Sequence, residues 1–301
     1  MLRNYKICFV ILHYQAYEMT LKCVNSIKRN MCGTNYKIII VDNCSPNNSG
    51  NKLYKKFQNS DETIVILNEE NLGFARGNNI GFLYAKSVEK ADFICCINND
   101  TLILQKDFYV RIVEEYENTE FAVMAPLVYL KYNIVQNFND KIYSIEYYQK
   151  ELNKWLDAKD FSDFSNDIDY KARLFLKLGI IGKCIKSIKQ FITRFKKNRV
   201  ENIVLHGCFL IFSKKYIDLF DGFDERTFMF REEELLYLRL KKFNLLSVYN
   251  PKIKIKHLED IATNMSYTND DEKFAFYKNN QLNSLNILIS DLKKLSEVNK
   301  A

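Results

Sequence analysis

Several polar clusters in this chain have the residue types and spacing to do chemistry. Asn98-Asn99-Asp100 directly follows the apolar run 93–97. A run of that length closed by polar residues predicts a buried strand with carboxylate and amide oxygens at its carboxyl end. Open α/β sheets bind ligands at that edge, and hard oxygens suit a divalent cation that holds a phosphate. Asp42-Asn43 closes a second such run, 38–41. Each pair of residues alone also fits an ordinary turn or a helix cap. Two strand ends carrying acid and amide on one edge predict a nucleotide-diphosphate site.

The stretch 71–81 places Gly73, Gly77 and Gly81 with Arg76, Asn78 and Asn79 just before a predicted helix. Glycine lets backbone approach a ligand closely, arginine clamps phosphate with two parallel hydrogen bonds, and a helix start favours anions. A glycine-containing turn with a helix cap has the same composition. Glu232-Glu233-Glu234 opens another predicted helix. The helix dipole there keeps a catalytic carboxylate ionised, although adjacent side chains diverge around the axis and at most two face one site. Such a run also fits a solvated first turn. His257 ends the strand-like stretch 252–256, as metal ligand, acid/base or structural histidine. His13 ends the first predicted strand, where it could lie near a nucleotide.

These residues need elements to position them. Strand signals at 7–12, 37–41, 63–67 and 93–97 alternate with helix signals at 18–29, 52–57, 78–86 and 107–116. That alternation predicts an α/β fold with a mostly parallel sheet and crossover helices. A further strand is expected at 121–125, stopped by Pro126. Residues 141–170 mix aromatics with acids and show no clean period. Over 171–199, Leu174, Leu178, Ile181, Ile185, Ile188, Ile192 and Phe195 recur at spacings of four and three among basic residues, predicting an amphipathic helix. Strands at 209–212 and 245–249, helices at 214–219 and 232–243, and a helical tail from about 271 complete the pattern.

At 301 residues and 47% hydrophobic the chain can bury a sizeable core, which excludes global disorder. A net charge of +7 permits an anionic partner without demanding one. The eight cysteines contain no C-x-x-C pair, so a zinc knuckle is not supported and they read as apolar fillers in a reducing compartment. No leader sequence or membrane span is evident, and a cytoplasmic location is expected.

Taken in order, the stretches 11–27, 38–50, 68–81, 93–103 and 206–257 resemble the family-2 glycosyltransferases, with the GT-A nucleotide-sugar fold. The resemblance implies a mostly parallel central sheet flanked by helices, with a helical insertion. It implies a donor-binding half at 1–130, the basic insertion at 131–205, an acceptor and catalytic-base half at 206–265, and a helical tail at 266–301. Residue by residue, it implies that Asp42, with His13 and Asn43 nearby, contacts the donor base or ribose. Gly73, Arg76 and Asn78 line the diphosphate. Asn98 and Asp100 occupy the metal motif, Asn98 and Asn99 also contact the donor, and Asp100 and His257 are the ligands to Mg²⁺ or Mn²⁺. Glu233 falls at the base position, with Glu232 as its rival. The motif reads Asn-Asn-Asp where the family usually has Asp-x-Asp, so one ligand is neutral. The base position reads Glu-Glu-Glu where an aspartate commonly follows a glutamate.

The implied activity is inverting transfer from a UDP- or dTDP-sugar to a glycan or lipid-linked glycan in surface polysaccharide synthesis, as in a capsule. The basic helix adds peripheral contact with anionic membrane on the inner face of the cell membrane, or packs on the core or on a second copy as a homodimer. A non-catalytic nucleotide-sugar scaffold and a nucleotidyltransferase are the alternatives. The latter needs a glycine- and lysine-rich phosphate loop that His13-Tyr14-Gln15-Ala16 does not supply. No nucleic-acid partner is expected, because no base-reading motif accompanies the positive charge.

Overall fold

The computed structural model describes residues 3–130, 135–136, 140–164, 198–258 and 269–298. Strands β1 (Ile7–His13), β2 (Tyr36–Asp42), β3 (Thr63–Leu67) and β4 (Phe93–Asn98) pair in parallel in the order β3-β2-β1-β4. Helices α1 (Tyr17–Asn30), α2 (Ser49–Phe57) and α3 (Gly73–Ser87) are the crossovers. Alternate side chains of these strands feed two separate cores. Ile7, Phe9, Ile11, Ile38, Ile40, Phe93 and Cys95 join one. Cys8, Val10, Ile39, Val41, Ile94 and Cys96 join the other. Burial on both faces explains why the strands read as unbroken apolar runs rather than alternating ones.

The second half is β5 (Thr101–Ile103), α4 (Phe108–Thr119), β6 (Val123–Tyr129), α5 (Ile145–Asp157), β7 (Val200–Glu201), β8 (Phe209–Ser213), α6 (Lys214–Ile217), α7 (Glu232–Lys242), β9 (Ser247–His257) and α8 (Asp270–Val298). β8 lies antiparallel between β4 and β6. β9 runs parallel to β6 and antiparallel to β5 and β7. The antiparallel turn at β8 is what builds the site. Ile97 of β4 pairs with Phe209 of β8, so β8 begins where β4 ends. His257 of β9 pairs with Thr101 of β5 and arrives at the same edge.

Four expectations need correction. Pro126 does not stop β6, which continues to Tyr129; the β6–β9 register shifts between Pro126 and Leu127 instead. A bulge removes the need for the missing N–H in the ladder. The two short strand signals at 245–249 and 252–256 are one strand, β9. Residues 141–170 hide the helix α5. Its Tyr148 and Trp155 pack with Leu235 and Leu238 of α7 and Phe274, Leu285 and Leu288 of α8 in a third core. α3 also begins at Gly73, five residues before the expected start, so the glycine-rich stretch is its first turns. The amphipathic helix expected over 171–199 falls almost wholly outside the described residues. No described helix is long and apolar enough to cross a membrane.

Candidate active site

Three loops and one helix start meet at the carboxyl edge of β4. Asp100 follows β4, is 8% exposed, and its Oδ1 has no hydrogen-bond partner among the described residues. That oxygen lies 3.2 Å from Nε2 of His257. The other ring nitrogen of His257, Nδ1, is 3.2 Å from Oε1 of Gln136. An Nδ1–H donated to that carbonyl leaves the Nε2 lone pair facing the carboxylate. A carboxylate and an imidazole lone pair on one point form a cation-ready pair.

The helix α7 supplies the opposite wall. Its entry is tight, with Phe230 and Arg231 both at positive φ, 77° and 66°. The three carboxylates then diverge, as adjacent helix positions must. Glu232 is buried and accepts from Thr227 Oγ1 at 3.3 Å. Glu234 pairs with Arg231 Nη1 at 2.9 Å. Glu233 alone turns to the edge of β8, where its Oε1 accepts from Gly207 N at 3.1 Å and lies 3.9 Å from His206 Nδ1. A Cβ at position 207 would come within 2.7 Å of that oxygen, so only glycine permits the approach. Burial, reinforced by the neighbouring Glu234 charge, raises Glu233 to about 6. Burial, then the Glu233 charge, raises Glu232 to about 8 and keeps it neutral at pH 7. The rings of His206 and His257 are 6.4 Å apart, which links Asp100 to Glu233 across the cleft.

The remaining expected residues divide into those that face the cleft edge and those that brace it. Arg76 is exposed on the first turns of α3. Asn98 is partly exposed at the end of β4. Asp42 accepts from the Ser45 hydroxyl at 2.5 Å and from Ser45 N at 3.2 Å, which fixes the 43–48 loop. Asn43 is a buried latch: Nδ2 donates to Asn71 Oδ1 and Gly73 O, and Oδ1 accepts from Asn68 and Leu72. Asn78 donates back to Phe74 O within its own helix, and Asn99 donates to Thr20 Oγ1. Gly73, at φ 75°, admits the backbone of Phe228, which accepts from Phe74 N at 2.7 Å.

His13, expected near the nucleotide, lies beneath the Asp42 loop. It is wholly buried, with Nδ1 on Thr20 and Nε2 on Ser49, and burial pushes its pKa down. A neutral imidazole spent on two hydroxyls braces the Asp42 loop from beneath. His206 and Gly207 stand at this edge although no sequence expectation gave them a role, and Asn79 was expected only as part of the stretch 71–81. Asn79 exchanges hydrogen bonds with Phe223 N and O and donates to Glu225 Oε1, tying α3 to the loop before α7. The signals for His206 were its place three residues before an apolar strand and at the start of the stretch 206–257.

The family model described as glycosyl transferase family 2 matches residues 8–220. The chain belongs to glycosyl transferase family 2. Among solved structures, GalNAc-T7 with UDP, GalNAc and Mn²⁺ matches this glycosyltransferase at TM-score 0.56 and 10% identity, over 85% of this chain and 44% of its own. S. aureus TarS 1–349 matches at TM-score 0.49 and 12% identity, over 93% of this chain and 71% of its own. The same TarS fragment in complex with UDP-GlcNAc matches at TM-score 0.37 and 16% identity, over 44% of this chain and 36% of its own. The match to the complexed TarS thus spans about a third of that chain's length. No curated protein matches this glycosyltransferase significantly. At these identities the likeness concerns the fold: an α/β GT-A architecture, its central sheet mostly parallel with flanking helices.

Proposed function

We propose that this glycosyltransferase moves a sugar, with inversion, from a nucleoside-diphosphate donor to a hydroxyl group. The observation that carries the reading is the convergence of Asp100, His257 and Glu233 on one sheet edge. UDP- and dTDP-sugars are the donor class, and GalNAc-T7, which shares the fold, was solved with UDP. Arg76 supplies an exposed guanidinium for the diphosphate, and Asp42 stands at the base and ribose end. The acceptor is a glycan or lipid-linked glycan of surface polysaccharide synthesis. Its lipid component rests on the basic sequence 171–199, which also suits an anionic membrane surface.

The donor set at the β4 edge fits a divalent cation. The buried Oδ1 of Asp100 lacks a hydrogen-bond partner among the described residues and faces an imidazole nitrogen. Asp100 and His257 would hold Mg²⁺ or Mn²⁺, whose chemistry there is to offset charge on the departing nucleoside diphosphate. Glu233 removes the acceptor proton at Oε1 as the hydroxyl oxygen attacks the anomeric carbon. Its pKa near 6 keeps it ionised yet basic at neutral pH. The Gly207 N–H holds the carboxylate in place, and Glu232, neutral and tied to Thr227, supports the turn without taking the proton.

Thermal stabilisation by UDP, dTDP, GDP and CMP, each with and without Mn²⁺, tests the reading beside Asp100→Ala. A metal-dependent shift for one nucleotide, absent in the variant, is the expected result. No shift with any nucleotide would favour a non-catalytic role and remove the assigned site.

A further inference from the structure

The same edge holds a second donor set of a different chemical kind. One ligand atom from each of His206, Cys208 and His257 lies within 4.8 Å of the others. Two of these residues, spaced i and i+2, lead into β8, and the third ends β9. Cys208 is 2% exposed, and its thiol lies beside the two imidazoles. A thiol placed among imidazoles is an odd choice for an apolar filler. Hard ions such as Mg²⁺ have no use for sulfur, whereas thiolate with imidazole selects zinc-class ions.

The geometry is close to what such an ion needs. Tetrahedral zinc with Zn–S of about 2.3 Å and Zn–N of about 2.0 Å sets its ligand atoms roughly 3.3–3.7 Å apart. The observed atoms reach that spacing with side-chain adjustments of about 1 Å or less. His257 is already oriented as a ligand, because Gln136 Oε1 engages its Nδ1 and turns Nε2 inward. Asp100 Oδ1, with no hydrogen-bond partner among the described residues, lies 3.2 Å from that nitrogen, beside the set of three rather than within it.

We propose that His206, Cys208 and His257 form a three-ligand zinc-class site that the protein fills in the absence of nucleotide. Binding displaces the Cys208 thiol proton to solvent, and the thiolate coordinates the ion. The site shares His257 with the hard-ion position and abuts Glu233 through His206, so zinc in it competes with Mg²⁺ or Mn²⁺. Zinc therefore acts on this protein as an inhibitor rather than as a substitute metal.

Cobalt reports thiolate ligation directly, and the assay needs neither donor nor acceptor. The whole protein, with Cys32, Cys44 and Cys184 replaced by Ser, is titrated with Co²⁺ alone. One equivalent should produce a near-ultraviolet thiolate-to-cobalt band that one equivalent of Zn²⁺ abolishes. Cys208→Ser should remove the band and weaken Zn²⁺ binding by more than about tenfold. His206→Gln, which keeps the thiol and disturbs no buried core, should weaken Zn²⁺ by at least as much if Cys208→Ser fails to fold. A band that never forms, or that survives both variants, overturns the proposal. Because nucleotide-dependent stabilisation is read separately, the zinc site can fail while the transferase reading stands, and the reverse.

Discussion

At the scale of single residues, three neighbouring glutamates have three different surroundings. Only Glu233 reaches the cleft, and it does so because residue 207 has no side chain. Glu233→Gln should keep nucleotide binding and lower kcat by about 10²–10⁴-fold, the usual loss of a general base. Donor KM and turnover measured together check this; near-normal turnover would remove Glu233 from the role. Gly207→Ala should lower kcat as well, because its Cβ would press on the catalytic oxygen while the backbone stays unstrained.

Glu232 makes the contrasting case. Its folded pKa of about 8 stands above the ordinary value of 4.5. Its burial therefore costs nothing below about pH 4.5, where the carboxyl is protonated folded or unfolded. Stability is lost as pH rises from there through about 8, because the unfolded chain releases a proton that the folded chain retains. Glu232→Gln has no charge to desolvate. The variant should gain stability over wild type at pH 8 to 9, by a few kcal/mol at most, and show little difference at pH 4 to 5. Paired thermal melts across that range read the effect.

At the scale of elements, the site is an assembly of ends. β4 and β9 present Asp100 and His257, while α7 presents Glu233 from the far wall. What holds the walls together is the α3 seam: Asn79 grips the 223–225 loop, and Phe74 N donates to Phe228 O. Asn79→Ala removes three hydrogen bonds and leaves buried backbone groups of Phe223 unpaired. That should cost about 2–4 kcal/mol, and it should raise KM for acceptor more than for donor because α7 loses its anchor. Denaturant melts and two-substrate kinetics separate the two effects.

At the scale of the whole molecule, the chain is one sheet with cores on both faces and a third apolar layer beyond. That outer layer joins α5 and α8 to α7 through Trp155, Leu285, Leu288, Leu235 and Leu238. The helix carrying Glu233 is thus backed by segments remote from it in sequence. Leu288→Ala opens a cavity at a fully buried position and should destabilise by about 2–5 kcal/mol. Because the loss falls behind α7, kcat should fall more than donor binding. Calorimetry and kinetics on the purified variant give both numbers.

Much of this was legible without coordinates. The apolar runs of β1, β2 and β4 announce themselves because strands buried on both faces need no polar alternation. The polar residues closing them mark the binding edge for the same reason, since they are the first to leave the core. Other features were masked by local chemistry. Pro126 reads as a strand end, yet a bulge absorbs its missing N–H. α5 reads as irregular because its aromatics pack on α7 and α8, partners distant in the chain.

The sequence by itself determined the elements of the donor half and the acids available to a site, since both follow from periodicity and short-range residue type. Only the tertiary structure decided which acid faces the cleft, that His13 is a strut, and that His206 and Cys208 stand beside His257. Those outcomes depend on β8 turning antiparallel against β4 and on β9 returning to β5. Strand order and direction join residues about 50 to 150 positions apart, and no local pattern of side chains encodes that meeting.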